Sequence, residues 1–434
     1  MPSFDARDPK ALELAFHDLF PEDWLREQAR EHGVVERHRK IDPVVLFWTM
    51  TLGFGIGTQR QLASLRRAYE TNTGESIAPS SFYDRFTPEL VSFLRACVHR
   101  GLAQTSEPGR PLADRLRGFD DVIITDGSLL RLNDELAGTW AGVRTNHSPA
   151  TIKLSVVISL VSDGLRSIAL HAGRKSDIDT LSIGPWVAGK LLLFDLGFYK
   201  YQKFDAITRN KGFFISRVKD NANPEIVGVN RLWRGRSVTI EGRKLKEVLA
   251  DLKREVIDAE VEVSFRRRVY GSKRSGATMK LRLVGVKNKE TGKYHLYFTN
   301  VPPDRLSVDE IASMYGARWE VELLFKEMKS AYALDVLPST KPAIVEALVL
   351  VAILTLIASR RLLATIRRRH PDKAHRMPNL RWAEVHAATA HKTLDKVLAH
   401  VGLQIDSFEY IDILSGEAFD PNDDRERLSD RWLA

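Results

Sequence analysis

A single cysteine, Cys97, occurs in 434 residues. That scarcity excludes an internal disulfide framework and any zinc site built on several cysteines. Cys97 lies in the apolar stretch V-S-F-L-R-A-C-V, where a buried, inert thiol is expected. Long apolar runs are missing too. The longest, Ala347 to Ala358, has 12 residues against the ~20 of a membrane span, and it reads as a buried core helix. The opening M-P-S-F-D-A-R-D-P-K has no apolar region of the kind a secretion signal carries. Neither internal repeats nor low-complexity linkers stand out. These absences set the expectation of a soluble, cytoplasmic protein with no membrane partner.

What is present is enough apolar material for a proper core, 44% hydrophobic residues, and a length that holds two to three domains at ~150 residues each. The net charge of +9 is unevenly spread. Residues 201–300 carry 23 Lys+Arg against 11 Asp+Glu, a net of +12, while residues 401–434 carry 9 acids against 3 bases, a net of −6. Basic charge gathered in one block favours a polyanion partner over general solubility.

The order of elements predicts several regions. Residues 1–115 read as helical. Pro43 to Phe54 is apolar, Gly53, Gly55 and Gly57 break it, and Thr58 is a plausible N-cap for the next helix. A third piece starts at Pro79-Ser80-Ser81, giving a helix-turn-helix-like set suited to DNA contact. From about residue 119 strands are expected at 121–125, 152–161, 165–171, 191–194 and 213–218. Ser162-Asp163-Gly164 forms a hairpin turn, and helices fall at 177–188 and 199–209. That is a mixed α/β sheet. Short alternating segments at 238–240, 259–269, 280–286 and 294–299 make residues 220–300, the basic block, a mainly β insertion. Helices resume at Ser307, where S-V-D-E has the capping-box form, and an apolar helix follows at 343–364.

Two acids, Asp126 and Asp195, directly follow apolar strand segments, where α/β sheets expose polar groups. A third lies in Y-G-A-R-W-E-V-E-L-L-F-K-E-M-K. At about 100° per residue, Tyr315, Arg318, Glu322 and Lys329 fall within an arc of roughly 60° on one helix. Trp319 and Phe325 fall off that stripe and are expected in the core. Three carboxylates without histidine or cysteine partners point to hard divalent cations, Mg²⁺ or Mn²⁺ rather than zinc. Two such ions can activate a nucleophile and stabilise the leaving oxygen in phosphoryl transfer.

The spacing Tyr315–x2–Arg318–x3–Glu322–x6–Lys329, with Asp126 in T-D-G-S and Asp195 in L-L-L-F-D-L-G-F-Y, resembles the Y-R-E-K signature of insertion-sequence DDE transposases. The resemblance spans roughly residues 119–365. It implies a ribonuclease-H-like catalytic domain formed by 116–219 and 301–370, interrupted by the β-rich insertion at 220–300. A helical DNA-binding domain precedes it, and a helical C-terminal region at 371–434 ends in an acidic tail. It also implies cut-and-paste transposition: cleavage at the ends of a mobile element, a hairpin intermediate and strand transfer. Carried over, Asp126, Asp195 and Glu322 would hold two Mg²⁺ or Mn²⁺ ions. Tyr315, Arg318 and Lys329 would contact DNA phosphates. Lys326 would join them or serve as an i,i+4 ion-pair partner of Glu322. A flipped base would rest on an aromatic of the insertion, Trp233, Tyr294 or Tyr297. The partners implied are double-stranded DNA, as terminal inverted repeats and target, and a second copy in the synaptic complex, with the protein associated with the nucleoid when bound. Two other readings stay open: a ribonuclease-H-like nuclease or domesticated transposase that only cleaves, and a DNA-binding protein with a decayed site.

Overall fold

The computed structural model describes residues 10–35, 41–53, 61–104, 116, 118–143, 148–161, 164–230, 240–267 and 275–403. Thr58, Ser162-Asp163, Trp233, Val238 and all but the first three residues of the acidic segment 401–434 lie outside them.

Packing divides the chain into two compact units: Met1–Thr105 together with Lys326–Ala434, and Ser106–Phe325. The first begins with α1 (Ala11–Leu19), α2 (Glu22–Glu31), α3 (Pro43–Gly53), α4 (Leu62–Thr73), α5 (Pro79–Tyr83) and α6 (Pro88–Gln104). Helix α3 is apolar on every side, so Val44 through Leu52 are all buried. Phe20, Phe47 and Trp48 meet edge to face beside it, with the Phe20 and Phe47 centroids 4.8 Å apart. Cys97, on α6, is buried and free.

The second unit carries β1 (Asp121–Arg131), β2 (Thr151–Ser159), β3 (Gly164–Ala172), α7 (Asp177–Thr180), β4 (Lys190–Phe194), α8 (Tyr201–Arg209), β5 (Phe213–Arg217) and β6 (Glu225–Val229). These are followed by α9 (Leu245–Asp251), β7 (Val256–Arg266), β8 (Gly276–Lys287), β9 (Tyr294–Thr299), α10 (Val308–Gly316) and α11 (Trp319–Ser330). Helices α12 (Pro342–Arg369) and α13 (Asn379–His400) return to the first unit.

The strands form one sheet in the order β3-β2-β1-β4-β5-β9-β8-β7-β6. β1, β4 and β5 run parallel, and the remaining pairs are antiparallel. Crossovers bury both faces of the parallel strands, which explains the unbroken run Leu191–Phe194 in β4. On one face α8 packs Phe204 flat on Phe214, centroids 4.3 Å apart.

Several expectations change. The strands of residues 220–300 extend the same sheet through β5 and β9 instead of standing apart from it. The helix expected over 177–188 stops at Thr180, because Gly184-Pro185 cannot continue one and starts only a short 3-10 turn. The apolar helix near 343–364, which the sequence grouped with the catalytic region, shares its unit with the N-terminal helices. By length and hydropathy α12 is the one helix among the described residues that could cross a bilayer, but 83% of its most apolar window is buried. It is a core helix of the first unit.

Candidate active site

Register places the two aspartates. On the parallel strands β1 and β4, Thr125 lies opposite Phe194. Asp126 and Asp195 are the residues that directly follow this last registered pair. Asp195 directly follows its strand and takes the N-cap position of a short 3-10 turn. Asp126 does not end β1. The strand continues to Arg131, paired only with β2, so Asp126 stands where its parallel neighbour gives out. The apolar run 121–125 hid the rest of that strand.

Glu322 arrives from the sequence's far side. The capping box expected at Ser307 forms: Glu310 Oε2 accepts from the Ser307 amide at 2.8 Å, and Ser307 Oγ accepts from the Glu310 amide at 3.3 Å. It fixes the start of α10. That helix does not run unbroken into the next. The amides of Ala317, Arg318, Glu320 and Val321 bond to carbonyls three residues back, a 3-10 joint between α10 and α11. The single helical stripe from Tyr315 to Lys329 is therefore two segments.

The joint decides where the side chains go. Tyr315, at the end of α10, is buried at 8% exposure, its ring 5.0 Å from that of Tyr297 on β9. Its hydroxyl is buried without a hydrogen-bond partner among the described residues, and burial pushes its pKa up to about 12. Arg318 spans the acids: Nη1 donates to Asp126 Oδ2 at 3.2 Å and Nη2 to Glu322 Oε1 at 2.6 Å. Its guanidinium carbon lies 5.9 Å from the Tyr315 ring centre, and its Nε is buried without a partner. Glu322 thus pairs with the arginine four residues before it, not with Lys326 four residues after. Lys326 is exposed and Lys329 half-buried, on the part of α11 that belongs to the first unit.

Asp126 is electrostatically uncomfortable. Burial raises its pKa to about 6; the Gly127 amide, bonded to Oδ1 at 2.7 Å, and Arg318 pull it down, while Asp195 and Asp177 push it up again. A desolvated carboxylate with other acids around it attracts cations. Among the described residues no three acid, histidine or cysteine side chains stand ready-grouped for a metal. The Arg318 guanidinium bridges Asp126 and Glu322. Carboxylate oxygens are the donors a hard divalent cation takes, and here they meet the charge of Arg318.

The other residues singled out in the sequence scatter. Tyr294 donates its hydroxyl to the Arg254 carbonyl, a fastening inside the sheet extension. Tyr297 is buried against Tyr315. Trp319, expected in the core, is the most exposed large apolar side chain described, at 58%, because the joint turns it outward. Phe325 is buried as expected. Sequence reasoning missed two groups. Arg217 ends β5 on the same sheet edge and faces Tyr297 and Tyr315 electrostatically; Asp177 opens α7 and acts on Asp126. The only signal for Arg217 was its place at a strand end.

Known proteins resemble this chain over most of its length. The transposase of insertion sequence element IS1151 from Clostridium perfringens is 23% identical over 365 residues, covering 76% of each chain. That of IS231B from Bacillus thuringiensis subsp. berliner is 22% identical over 353 residues, covering 71% of this chain and 70% of its own. A piggyBac transposase in a synaptic complex with hairpin DNA overlays 97% of this chain and 88% of its own at a TM-score of 0.49 and 11% identity, too distant to bear on function. The family described as the transposase DDE domain matches residues 117–357, a span that takes in Asp126, Asp195 and Glu322. More than half of the chain, including all three acids, lies within that match, and the chain belongs to the DDE transposase family.

Proposed function

We propose that this protein carries out cut-and-paste DNA transposition from a ribonuclease-H-like core, with Asp126, Asp195 and Glu322 as its working acids. The observation that carries the reading is the register match of Thr125 with Phe194, which sets the two aspartates side by side, with Glu322 drawn to Asp126 through Arg318. These carboxylates would hold Mg²⁺ or Mn²⁺, two ions per site, and a divalent pair supplies both an activated attacking oxygen and charge stabilisation for the leaving one.

The chain's own groups do the rest. Arg318, which gives one N–H to each of two carboxylates, would hold phosphate oxygens, since a guanidinium fork suits either anion. Tyr315, with its buried, unpartnered hydroxyl, donates to a phosphate oxygen. Lys326 and Lys329 follow the DNA further along α11. Trp319 offers an exposed ring face beside Arg318 on which an unstacked base can rest, and so joins Tyr297 and Trp233 as a candidate for the hairpin step. Tyr294, tied down through its hydroxyl, is the weakest of them. In this reading the helices of residues 1–115 contact the element ends, the basic stretch 220–300 tracks the phosphate backbone, and two copies pair the ends on nucleoid DNA in the cytoplasm.

The test is a plasmid carrying the gene with its flanking DNA. Asp126→Ala, Asp195→Ala and Glu322→Ala each abolish MgCl₂-dependent cleavage while DNA binding in a gel-shift assay is kept. Full cleavage by all three variants ends the reading. Cleavage by the wild type without joined products favours the nuclease alternative.

A further inference from the structure

Asp177 has no part in the triad, yet it lies against the backbone just past each aspartate, at Gly127 on β1 and at Gly197 in the turn after β4. It opens α7, directly after the turn that follows β3. Its Oδ1 accepts from Lys153 Nζ at 2.8 Å, and the same ammonium donates to the Lys175 carbonyl at 2.5 Å. Lys153 is buried on β2, so the carboxylate is fastened to a fixed cation rather than swinging in solvent.

Two glycines meet this carboxylate. A Cβ placed on Gly127 would sit 3.3 Å from Asp177 Oδ1, and one placed on Gly197 would sit 2.8 Å from Oδ2. Gly127 follows Asp126 immediately, and Gly197 lies two residues past Asp195. Neither glycine is there for an unusual backbone angle, since neither has positive φ. Both leave room for one oxygen atom each of the same side chain.

We propose that Asp177 is a positioning residue: held by Lys153, it wedges between the backbone at Gly127 and the backbone at Gly197 and fixes the separation of Asp126 and Asp195. This rests on the reading of those two aspartates as working acids. The role is steric and through hydrogen bonding, so an isosteric amide preserves it where a truncation does not.

The experiment compares Asp177→Ala, Asp177→Asn, Gly197→Ala and the double variant Gly197→Ala with Asp177→Ala, in the full chain, alongside Asp126→Ala. Readouts are Tm, the Tm shift produced by MnCl₂, and plasmid cleavage resolved into kcat and KM for DNA. Asp177→Ala is expected to lower kcat by about ten- to a hundredfold, as slight misplacement of reacting groups does, with KM little changed. It also shrinks the MnCl₂ shift. Asp177→Asn stays close to wild type, because its Oδ1 still accepts from Lys153. Gly197→Ala lowers Tm, and adding Asp177→Ala to it costs less than the two losses combined, since the clash goes with the carboxylate. Unchanged kcat and MnCl₂ shift in Asp177→Ala overturn the proposal, as does Asp177→Asn falling as far as Asp177→Ala, or simple additivity in Tm. Cleavage by Asp126→Ala would instead remove the triad itself, and so separates that failure from this one.

Discussion

Two arginines in the α/β unit bind acids in opposite ways. Arg282 on β8 spends its whole fork: Nε and Nη2 donate to Asp258 at 2.9 and 2.7 Å, and Nη1 donates to the carbonyls of Val301 and Leu306 at 3.2 and 2.7 Å. Asp258 also accepts from Asn230 at 3.1 Å. Arg318 divides itself between two carboxylates from distant parts of the chain and leaves Nε without a partner. Exposure separates them as well: the Arg282 and Asp258 side chains are 5% and 8% exposed, those of Arg318, Asp126 and Glu322 17%, 20% and 36%. A closed, fully satisfied pair is a strut that ties the sheet extension to the lead-in of α10. An open arrangement at strand ends, with a donor that has no partner among the described residues, suits the proposed binding of another anion and a cation.

Breaking the strut gives the largest effect on folding. Arg282→Met leaves Asp258 buried and uncompensated, so unfolding in urea is expected to lose about 3–5 kcal/mol. Replacing both partners, Arg282→Met with Asp258→Leu, recovers most of it. A loss under about 1 kcal/mol in the single variant contradicts the description of this pair as closed.

Arg318→Met separates the two kinds of arginine further. Its partners are partly exposed, and Asp126 escapes by taking up a proton, so the stability loss stays near about 1 kcal/mol or below. Under the proposed role of Arg318 as a donor to developing phosphate charge, cleavage is expected to fall by about a hundredfold. The MnCl₂-induced rise in Tm becomes larger than in wild type, since the competing guanidinium has left. A smaller rise breaks the proposed competition between Arg318 and the cation.

Titration sharpens the same contrast. Asp126 has its pKa raised by burial to about 6, above the ~4 of an unfolded aspartate. The folded protein therefore binds this proton more tightly than the unfolded chain. Its contribution to stability is complete below pH ~4 and is lost as pH rises through about 6 in cation-free protein. Cation binding needs the carboxylate, so the MnCl₂ shift in Tm shrinks as pH falls through about 6. Asp126→Asn abolishes that pH dependence; a shift that stays flat from pH 7.5 to 5 in the wild type rejects it.

Much of the scaffold was legible because its signals are local. Apolar runs bounded by turn residues gave the strands, and S-V-D-E gave the start of α10 through a bond pattern four residues long. The site's residues were legible from strand context and motif spacing, but their arrangement was not. That Asp126 and Asp195 stand side by side depends on β4 pairing with β1 across the β2–β3 hairpin, a fact of topology. The wheel that put Trp319 in the core and Tyr315 on an open stripe assumed one helix. Gly316 was the only hint of the joint, and a single glycine is often tolerated within a helix. Asp177 looked like an ordinary acid at a helix start, and its role depends on two glycines, one about fifty residues before it and one twenty after. The grouping of α12 with α1–α6 joins segments more than two hundred residues apart, beyond any window of periodicity.

The smallest effect concerns the aromatics. Tyr294 and Tyr297 look alike in sequence, three residues apart on β9, on opposite faces of the strand. Tyr297 meets Tyr315 at the acid site, while the Tyr294 hydroxyl is bound to the Arg254 carbonyl and Lys287 lies 5.7 Å from its ring centre. Tyr294→Phe removes only the hydroxyl's bonding to the Arg254 and Leu252 carbonyls, so it is expected to cost about 1 kcal/mol in urea unfolding and leave cleavage as it was. Tyr297→Phe is milder still in stability, because no partner of its hydroxyl is described, yet Tyr297→Ala unseats Tyr315 and lowers cleavage. If Tyr294→Phe impairs cleavage while Tyr297→Ala does not, the strand presents its other face to DNA, and the site edge runs along Tyr294 instead.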